Sequence, residues 1–388
     1  MLRLFRVVRR VIETQQRESL LGGHGKGGGG VNVWTGFFLL AMDYRNHVGW
    51  TEGGKEGKRK RPRGEEGVLE GEGGDRAKVE EVEEAVCESM LALVLRLNEE
   101  ELRALFLRVA HWKKSGDGGR EGGQRSRRLV FYRLLGYLVE TLRSIFVPYF
   151  GYIWSDIQAD LRLFSIPSSS SVPSSILAVH NGEVSKEKKK EKKRRREEEG
   201  ATGEDRMEGG LEPEKQGPIL ITLILTALTK CFQCDDEGEE DGNFLTQTRF
   251  DAILPLLTGL ITGLHSFLPP ASSPSANSTY RALAEANLIP CLAYMALAAG
   301  KDVLWKPYHH QVLMQTRARA WEVRWVALRT LRETFVVVGE EYLAMLPESI
   351  AYLSELLEDE REEVVEECKT TIAYIEDLSG ESLESYLA

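Results

Sequence analysis

Cysteine is scarce in this 388-residue chain: Cys87, Cys231, Cys234, Cys291 and Cys368 are the full set. An odd, scattered group argues against a disulfide scaffold and for a reducing compartment. Long apolar runs are also missing. Apolar-rich stretches such as Pro218 to Leu228 fall well short of the ~20 residues a membrane-spanning helix needs. The opening MLRLFRVVRRVIETQQRESLL is too broken by arginine for a secretory signal. No ordered stretch shows the apolar–polar alternation of a half-buried strand. With 42% hydrophobic residues, 28% charged residues and a formal charge of −10, the expectation is a soluble, largely globular protein.

Catalytic and metal signatures are equally thin. CFQC (Cys231 to Cys234) is a CxxC pair, but zinc needs a second ligand pair at matching spacing. A thioredoxin-like role would need a βαβ context, so two helix-end cysteines are the plainer reading. His309 and His310 are adjacent, so on a helix they point about 100° apart and cannot share a metal as an i, i+4 pair does. Gly23, Gly25 and Gly28 satisfy GxGxxG only because they lie in a glycine tract with no strand before it. No Ser/His/Asp set or carboxylate pair stands out. The expectation is a non-enzyme with no metal and no cofactor.

Much of the chain reads as insertion. Glycine concentrates in 22–30, 53–74 and 116–123, tracts that bury too little apolar surface to offset their ordering entropy. The stretch 165–217 opens as SIPSSSSVPSS and continues through KEKKKEKKRRREEEG, a charged linker by composition. Two basic islands on such segments fit nuclear import: Lys58, Arg59, Lys60, Arg61 and Arg63, and Lys188, Lys189, Lys190, Lys192, Lys193, Arg194, Arg195 and Arg196. The Arg-rich start reads either as a mitochondrial transit peptide or as the second half of a helix pair.

The remaining stretches all have helical period. Helices are expected over Val79 to Leu97, Glu99 to Lys113 (capped by Asn98), Arg127 to Phe146, and Pro148 to Phe164. Further helices are expected over Pro218 to Phe232, Phe244 to Leu268 (kinked or broken at Pro255), Thr279 to Ala299, and Asp302 to Thr316. A last one, Glu340 to Leu357, should kink at Pro347. EVRWVALRTL at 322–331 aligns with EVVEECKTTI at 363–372, one repeat of 41 residues apart. That lies within the ~40–47 residue period of HEAT and armadillo units. Val323 matches Val364, Ala327 matches Cys368, and Leu331 matches Ile372, all on one helix face. The fold class is all-α: an α-solenoid of HEAT-type antiparallel helix pairs interrupted by disordered insertions. Its parts are 1–30 (a helical start and Gly-rich tract), 31–164 (helical, with disordered 50–78 and 114–126), 165–217 (linker), 218–300 (helical repeats) and 301–388 (C-terminal HEAT repeats).

Charge is polarised along the solenoid end. From 301 to 332, Lys301, Lys306, Arg317, Arg319, Arg324, Arg329 and Arg332 face only Asp302 and Glu322. From 340 to 388, fifteen carboxylates face Arg361 and Lys369. The basic stretch, with Trp305, Trp321 and Trp325, is the candidate for RNA phosphate contact. The plainer alternative makes Arg324 a repeat-turn residue and the tryptophans core. The acidic end suits a protein partner with a basic face.

LPESIAYLSELLEDEREEVVEECKTTIAYIEDLSGESLESYL (Leu346 to Leu387) resembles the C-terminus of the U3 small nucleolar RNA-associated protein 10 / HEAT repeat-containing protein 1 family. LWKPYHHQVLMQTR (Leu304 to Arg317) is similar to that family's LWKP motif. ALVLRLNEEELRALFLRVAHW (from Ala92), RRLVFYRLLGYLVETLRSIFVPYFGYI (from Arg127) and FFLLAMDYR (from Phe37) resemble its conserved C-terminal domain. The resemblance implies a scaffold of the small-subunit processome, in the nucleus and nucleolus, acting on pre-ribosomal RNA with the U3 particle and linked to ribosomal DNA transcription. It also implies other processome proteins as partners, with no membrane involved. Family members are far longer, and the insertions exceed the family pattern. Rival expectations are a HEAT-type nuclear transport adaptor with an acidic inner face and a generic protein-interaction scaffold.

Overall fold

A computed structural model describes residues 1–16, 20, 29–44, 71–115, 121–165, 217–235, 243–267 and 274–387. The chain divides into one unit of Met1–Pro167 with Glu214–Ala388 and a second of Ser168–Pro213, which lies outside the described residues. The described residues are helical, with no strand among them. In chain order the helices are α1 (Leu2–Thr14), α2 (Gly29–Met42), α3 (Gly71–Val94), α4 (Glu99–Lys114), α5 (Glu121–Leu142) and α6 (Trp154–Ser165). They continue with α7 (Gly217–Gln233), α8 (Gln247–Phe267), α9 (Pro274–Leu283), α10 (Ile289–Ala299), α11 (Asp302–Gln315) and α12 (Trp321–Val338). α13 (Leu346–Leu357), α14 (Glu362–Ser379) and the short α15 (Glu384–Leu387) complete the fold.

The helices form the two layers of an α-solenoid. In one layer α1 packs on α3, then α5, α7, α10, α12 and α14 follow, each against the next. In the other, α2 packs on α4 and α8 lies between α6 and α11; α13 pairs with α14 across the layers. Such a stack is stable because each amphipathic helix buries its apolar stripe against neighbours on more than one side. Val323, Ala327 and Leu331 of α12 are buried, as are Val364 and Cys368 of α14, and Ile372 packs against the same core. The 41-residue alignment therefore marks two structurally equivalent helices.

Local chemistry explains the start of α4 and the ends of α10 and α14. Asn98 accepts a hydrogen bond from the Glu101 amide (2.9 Å), and the Glu101 carboxylate accepts one from the Asn98 amide (3.0 Å), a reciprocal cap that satisfies two end groups of α4. Gly300 and Gly380 end α10 and α14 in the left-handed conformation that glycine adopts without a Cβ clash.

Several expected elements differ. α3 begins at Gly71 and α5 at Glu121, inside stretches expected to be insertions. The helix expected to run to Phe146 ends at Leu142. Arg143 takes a left-handed φ of 49°, and 3₁₀ turns at Arg143–Ile145 and Val147–Tyr152 replace the expected start at Pro148. The aromatics Phe106, Phe146 and Tyr149 fill that corner, with Phe106 edge-on to the other two rings at 5.4 and 5.5 Å, and packing overrides helical period there.

Pro255 neither breaks nor ends α8. Pro347 does not kink a long helix; a 3₁₀ turn (Gly339–Met345) precedes it and Pro347 starts α13, where its missing amide costs nothing. The expected single helix Thr279 to Ala299 carries a π-helical turn at Ala284–Leu288. By length and mean hydropathy (1.5) this stretch would pass as a membrane span, although no purely apolar run does; it packs between α7 and α12 in the core.

Candidate functional site

The seven candidate phosphate-contact residues divide into two groups. Four of them form a seam with the acidic end of the chain. Arg324, on α12, makes two 2.7 Å bonds to the Asp359 carboxylate and donates to the Ala318 and Arg319 carbonyls at 3.1 Å. Both side chains are nearly buried, 10% and 7% exposed. Burial alone would raise the Asp359 carboxyl; the Arg324 fork and the Arg361 amide outweigh it and hold it below the usual range. Arg332 and Arg329 reach Glu367 at 3.1 and 3.6 Å. Arg317 bonds Glu355 at 2.8 Å and lies over the Tyr352 ring.

Four arginines of the basic stretch thus meet Glu355, Asp359 and Glu367 of the acidic stretch across one repeat boundary. Planar guanidinium forks suit this because they meet a carboxylate bidentately. The other three residues stay open to water. Lys301 stands at the start of α11 beside Asn243, Thr246 and Gln247 in a cleft of about 260 Å³. Lys306 is exposed on α11, and Arg319 is exposed in the turn before α12. Trp305 and Trp325 are buried, and Trp305 donates to the Ala296 carbonyl at 2.7 Å. Trp321 is half-buried under the Arg361 guanidinium at 4.6 Å.

A second surface was not foreseen. α3, α5 and α7 leave a groove of about 420 Å³ between them, lined by Glu80, Glu84, Tyr137, Glu140, Arg133 and Lys230 among others. Gly136 opens its floor, since nothing lies within 4 Å of where its Cβ would stand. Arg133 bonds the buried Glu83 at 2.8 Å, Lys230 pairs with Glu140, and the Tyr137 hydroxyl donates to Glu84 at 3.0 Å. The groove is acidic at its rim with an aromatic wall. No spacing rule marks it, because its residues come from three helices separated by two insertions.

The remaining candidates are packed. Cys231 is buried on α7, and burial pushes its thiol far above the ordinary range, away from thiolate chemistry. His309 lies between the Tyr342 hydroxyl and the Ser349 hydroxyl, 3.0 Å from each, while His310 is exposed. Among the described residues no group of three His, Cys, Asp or Glu side chains has metal-binding geometry. Both import candidates, Lys58 to Arg63 and Lys188 to Arg196, lie outside the described residues.

The BP28CT (NUC211) domain matches residues 31–239, more than half of the chain. The chain belongs to the BP28CT family. An Arabidopsis thaliana protein is 33% identical over 315 residues, covering 80% of this chain and 13% of its own length. Human HEAT repeat-containing protein 1 is 28% identical over 313 residues, 80% of this chain and 12% of its own. Neurospora crassa U3 small nucleolar RNA-associated protein 10 is 24% identical over 356 residues, 92% of this chain and 15% of its own. The chain therefore spans roughly an eighth of the length of these curated relatives. The acidic groove lies wholly within the BP28CT match, whereas the arginine seam lies C-terminal to it.

The seam had a legible signal. Arg317 and Glu355 are 38 residues apart and Arg324 and Asp359 are 35 apart, close to one repeat. Both spacings fall a few residues short of the 41-residue repeat, so each arginine meets a carboxylate of the next repeat displaced from its own equivalent position.

Proposed function

We propose that this chain is a non-catalytic scaffold in ribosome biogenesis, a helical element of the U3 small nucleolar RNA particle in the nucleolus. Its task there is pre-ribosomal RNA processing toward 18S rRNA maturation, with a link to ribosomal DNA transcription. The observation that carries this is similarity along most of the chain to proteins named U3 small nucleolar RNA-associated protein 10 and HEAT repeat-containing protein 1. A solenoid suits such a role because its stacked helices offer long surfaces to several partners at once. Other processome proteins are its partners, and the basic islands carry it to the nucleus. Lys301, Lys306 and Arg319 supply phosphate contact, while Arg317, Arg324, Arg329 and Arg332 hold the last repeats together.

The test is to tag the chain in its source cell and sequence the RNA that co-purifies. Enrichment of U3 RNA and the 5′ region of pre-ribosomal RNA over a tag-only control is expected; absence of both would overturn the reading. Reversing Lys301, Lys306 and Arg319 to Glu should then weaken RNA retention and flatten its salt dependence, by about 0.7–0.9 in logarithmic slope per lost contact. An unchanged slope removes the phosphate role and leaves a purely protein-binding scaffold.

The acidic groove favours a second reading, a HEAT-type adaptor that takes a basic segment between α3, α5 and α7. Loss of a lysine-rich peptide on Glu84→Lys and Glu140→Lys, without loss of U3 RNA, would select it.

A further inference from the structure

Arg281 stands in the last turn of α9, which packs on α12. On α12, Trp321 and Trp325 are four residues apart and share one face. The Arg281 guanidinium lies 4.3 Å from the Trp325 ring centroid and 5.7 Å from that of Trp321. Arg361, just before α14, covers Trp321 at 4.6 Å. A short ladder of guanidinium and indole groups thus links α9, α12 and the start of α14.

The nearby carboxylates are taken. Arg361 holds Glu363 through two bonds of 2.9 and 3.3 Å, and Glu367 is held by Arg332 and Arg329. Arg281 lies within electrostatic reach of Glu363 and Glu367 without bonding either. Glu285, four residues on, would be its partner in a regular helix, but a π-helical turn begins at Ala284 and the two make no ion pair. Among the described residues Arg281 therefore has no hydrogen-bond acceptor and no ion pair, and ring contacts alone hold it. A half-buried guanidinium fixed by indoles has given up side-chain freedom in advance and keeps its N–H fork free, the arrangement that grips a planar oxyanion. We propose that Arg281 receives a carboxylate from an acidic segment of a partner protein, with an aromatic side chain of that segment packing on the open part of the half-buried Trp321.

Arginine and tryptophan are the side chains on which protein interfaces most depend. Two other occupants fit less well. A nucleic-acid strand would carry successive phosphates past Glu285, Glu362 and Glu363, all exposed, whereas a peptide brings one carboxylate for Arg281 and leaves room for a cation beside Glu285. A second copy meeting this face across a two-fold axis would set Arg281 and Arg361 against themselves. The inference rests on the side chains around α12 and not on the RNA-particle reading, so the two experiments fail separately.

The probe is a peptide of about 12 residues with a phenylalanine followed by two glutamates at its centre, paired with a copy carrying glutamine at both acidic positions. Binding to the full chain is read by fluorescence anisotropy. The glutamate peptide should bind at least tenfold more tightly than the glutamine copy, and Arg281→Gln should remove that difference. Arg281→Lys should recover only part of it, because lysine keeps the charge and loses the fork. With Arg281→Glu, preference should pass to a copy carrying lysine at both positions, a gain that misfolding cannot mimic. Equal binding to all variants, or no binding of the glutamate peptide, overturns the proposal. So does a short oligouridine RNA that binds in its place and is lost with Arg281→Gln, or a dimer by light scattering that the same change dissolves.

Discussion

His309 carries a pH dependence that its neighbours impose. Burial, with a smaller contribution from the adjacent His310, pushes its imidazole down to about 4, and Tyr342 and Ser349 occupy both ring nitrogens. The unfolded chain binds that proton more readily, so the contribution to stability is full above about pH 6.5 and is lost as pH falls toward 4, up to about 3 kcal/mol. Urea unfolding at pH 7 and pH 5 should show a steeper loss for the parent chain than for His309→Gln; equal slopes would sink the assignment. Arg324 is the second residue-scale test. Removing it leaves the nearly buried Asp359 without its bidentate partner, so Arg324→Ala should cost about 3 kcal/mol. Arg324→Ala with Asp359→Ala should cost less than the two single changes added, and a double-mutant cycle measures the difference. Strict additivity would mean the pair is not coupled.

At the scale of the element, the contact of α6 with α8 is set by glycine. A Cβ on Gly263 would stand 2.3 Å from the Phe164 carbonyl oxygen, and one on Gly259 would sit 3.7 Å from Ser165. The Ser165 hydroxyl completes the junction by donating to the Leu256 carbonyl at 3.0 Å. Gly263→Ala must therefore push two helices apart and should lower the unfolding free energy by about 1–3 kcal/mol. Gly136→Ala meets nothing within 4 Å and should stabilise α5 by roughly 0.5–1 kcal/mol, the ordinary helix-propensity gain. Thermal melts of both variants against the parent check the contrast. Two alanine substitutions of the same sign would show that crossing distance does not govern this pair.

Across the whole molecule, stability should follow position in the stack. α10 is flanked by α7 and α12 with α8 and α11 across the layers, whereas α1 and α14 have a layer neighbour on one side only. Nearest-neighbour coupling then predicts the slowest amide exchange in α7, α10 and α12 and the fastest in α1 and α15. Exchange followed by mass spectrometry would contradict this if α1 were as protected as α10.

The sequence by itself determined the fold class, the Asn98 cap and the equivalence of α12 and α14, because helical period, capping chemistry and a 41-residue repeat are local properties of the chain. It also showed a basic stretch at 301–332 followed by an acidic one at 340–388. Only the tertiary structure decided which arginines are spent on carboxylates, that Pro347 opens a helix instead of bending one, and that the corner at Arg143–Tyr152 follows its aromatics. The acidic groove belongs to that second group. Each depends on side chains brought together, or left uncovered, by packing between helices far apart in sequence, and no periodicity within one helix records what lies across from it.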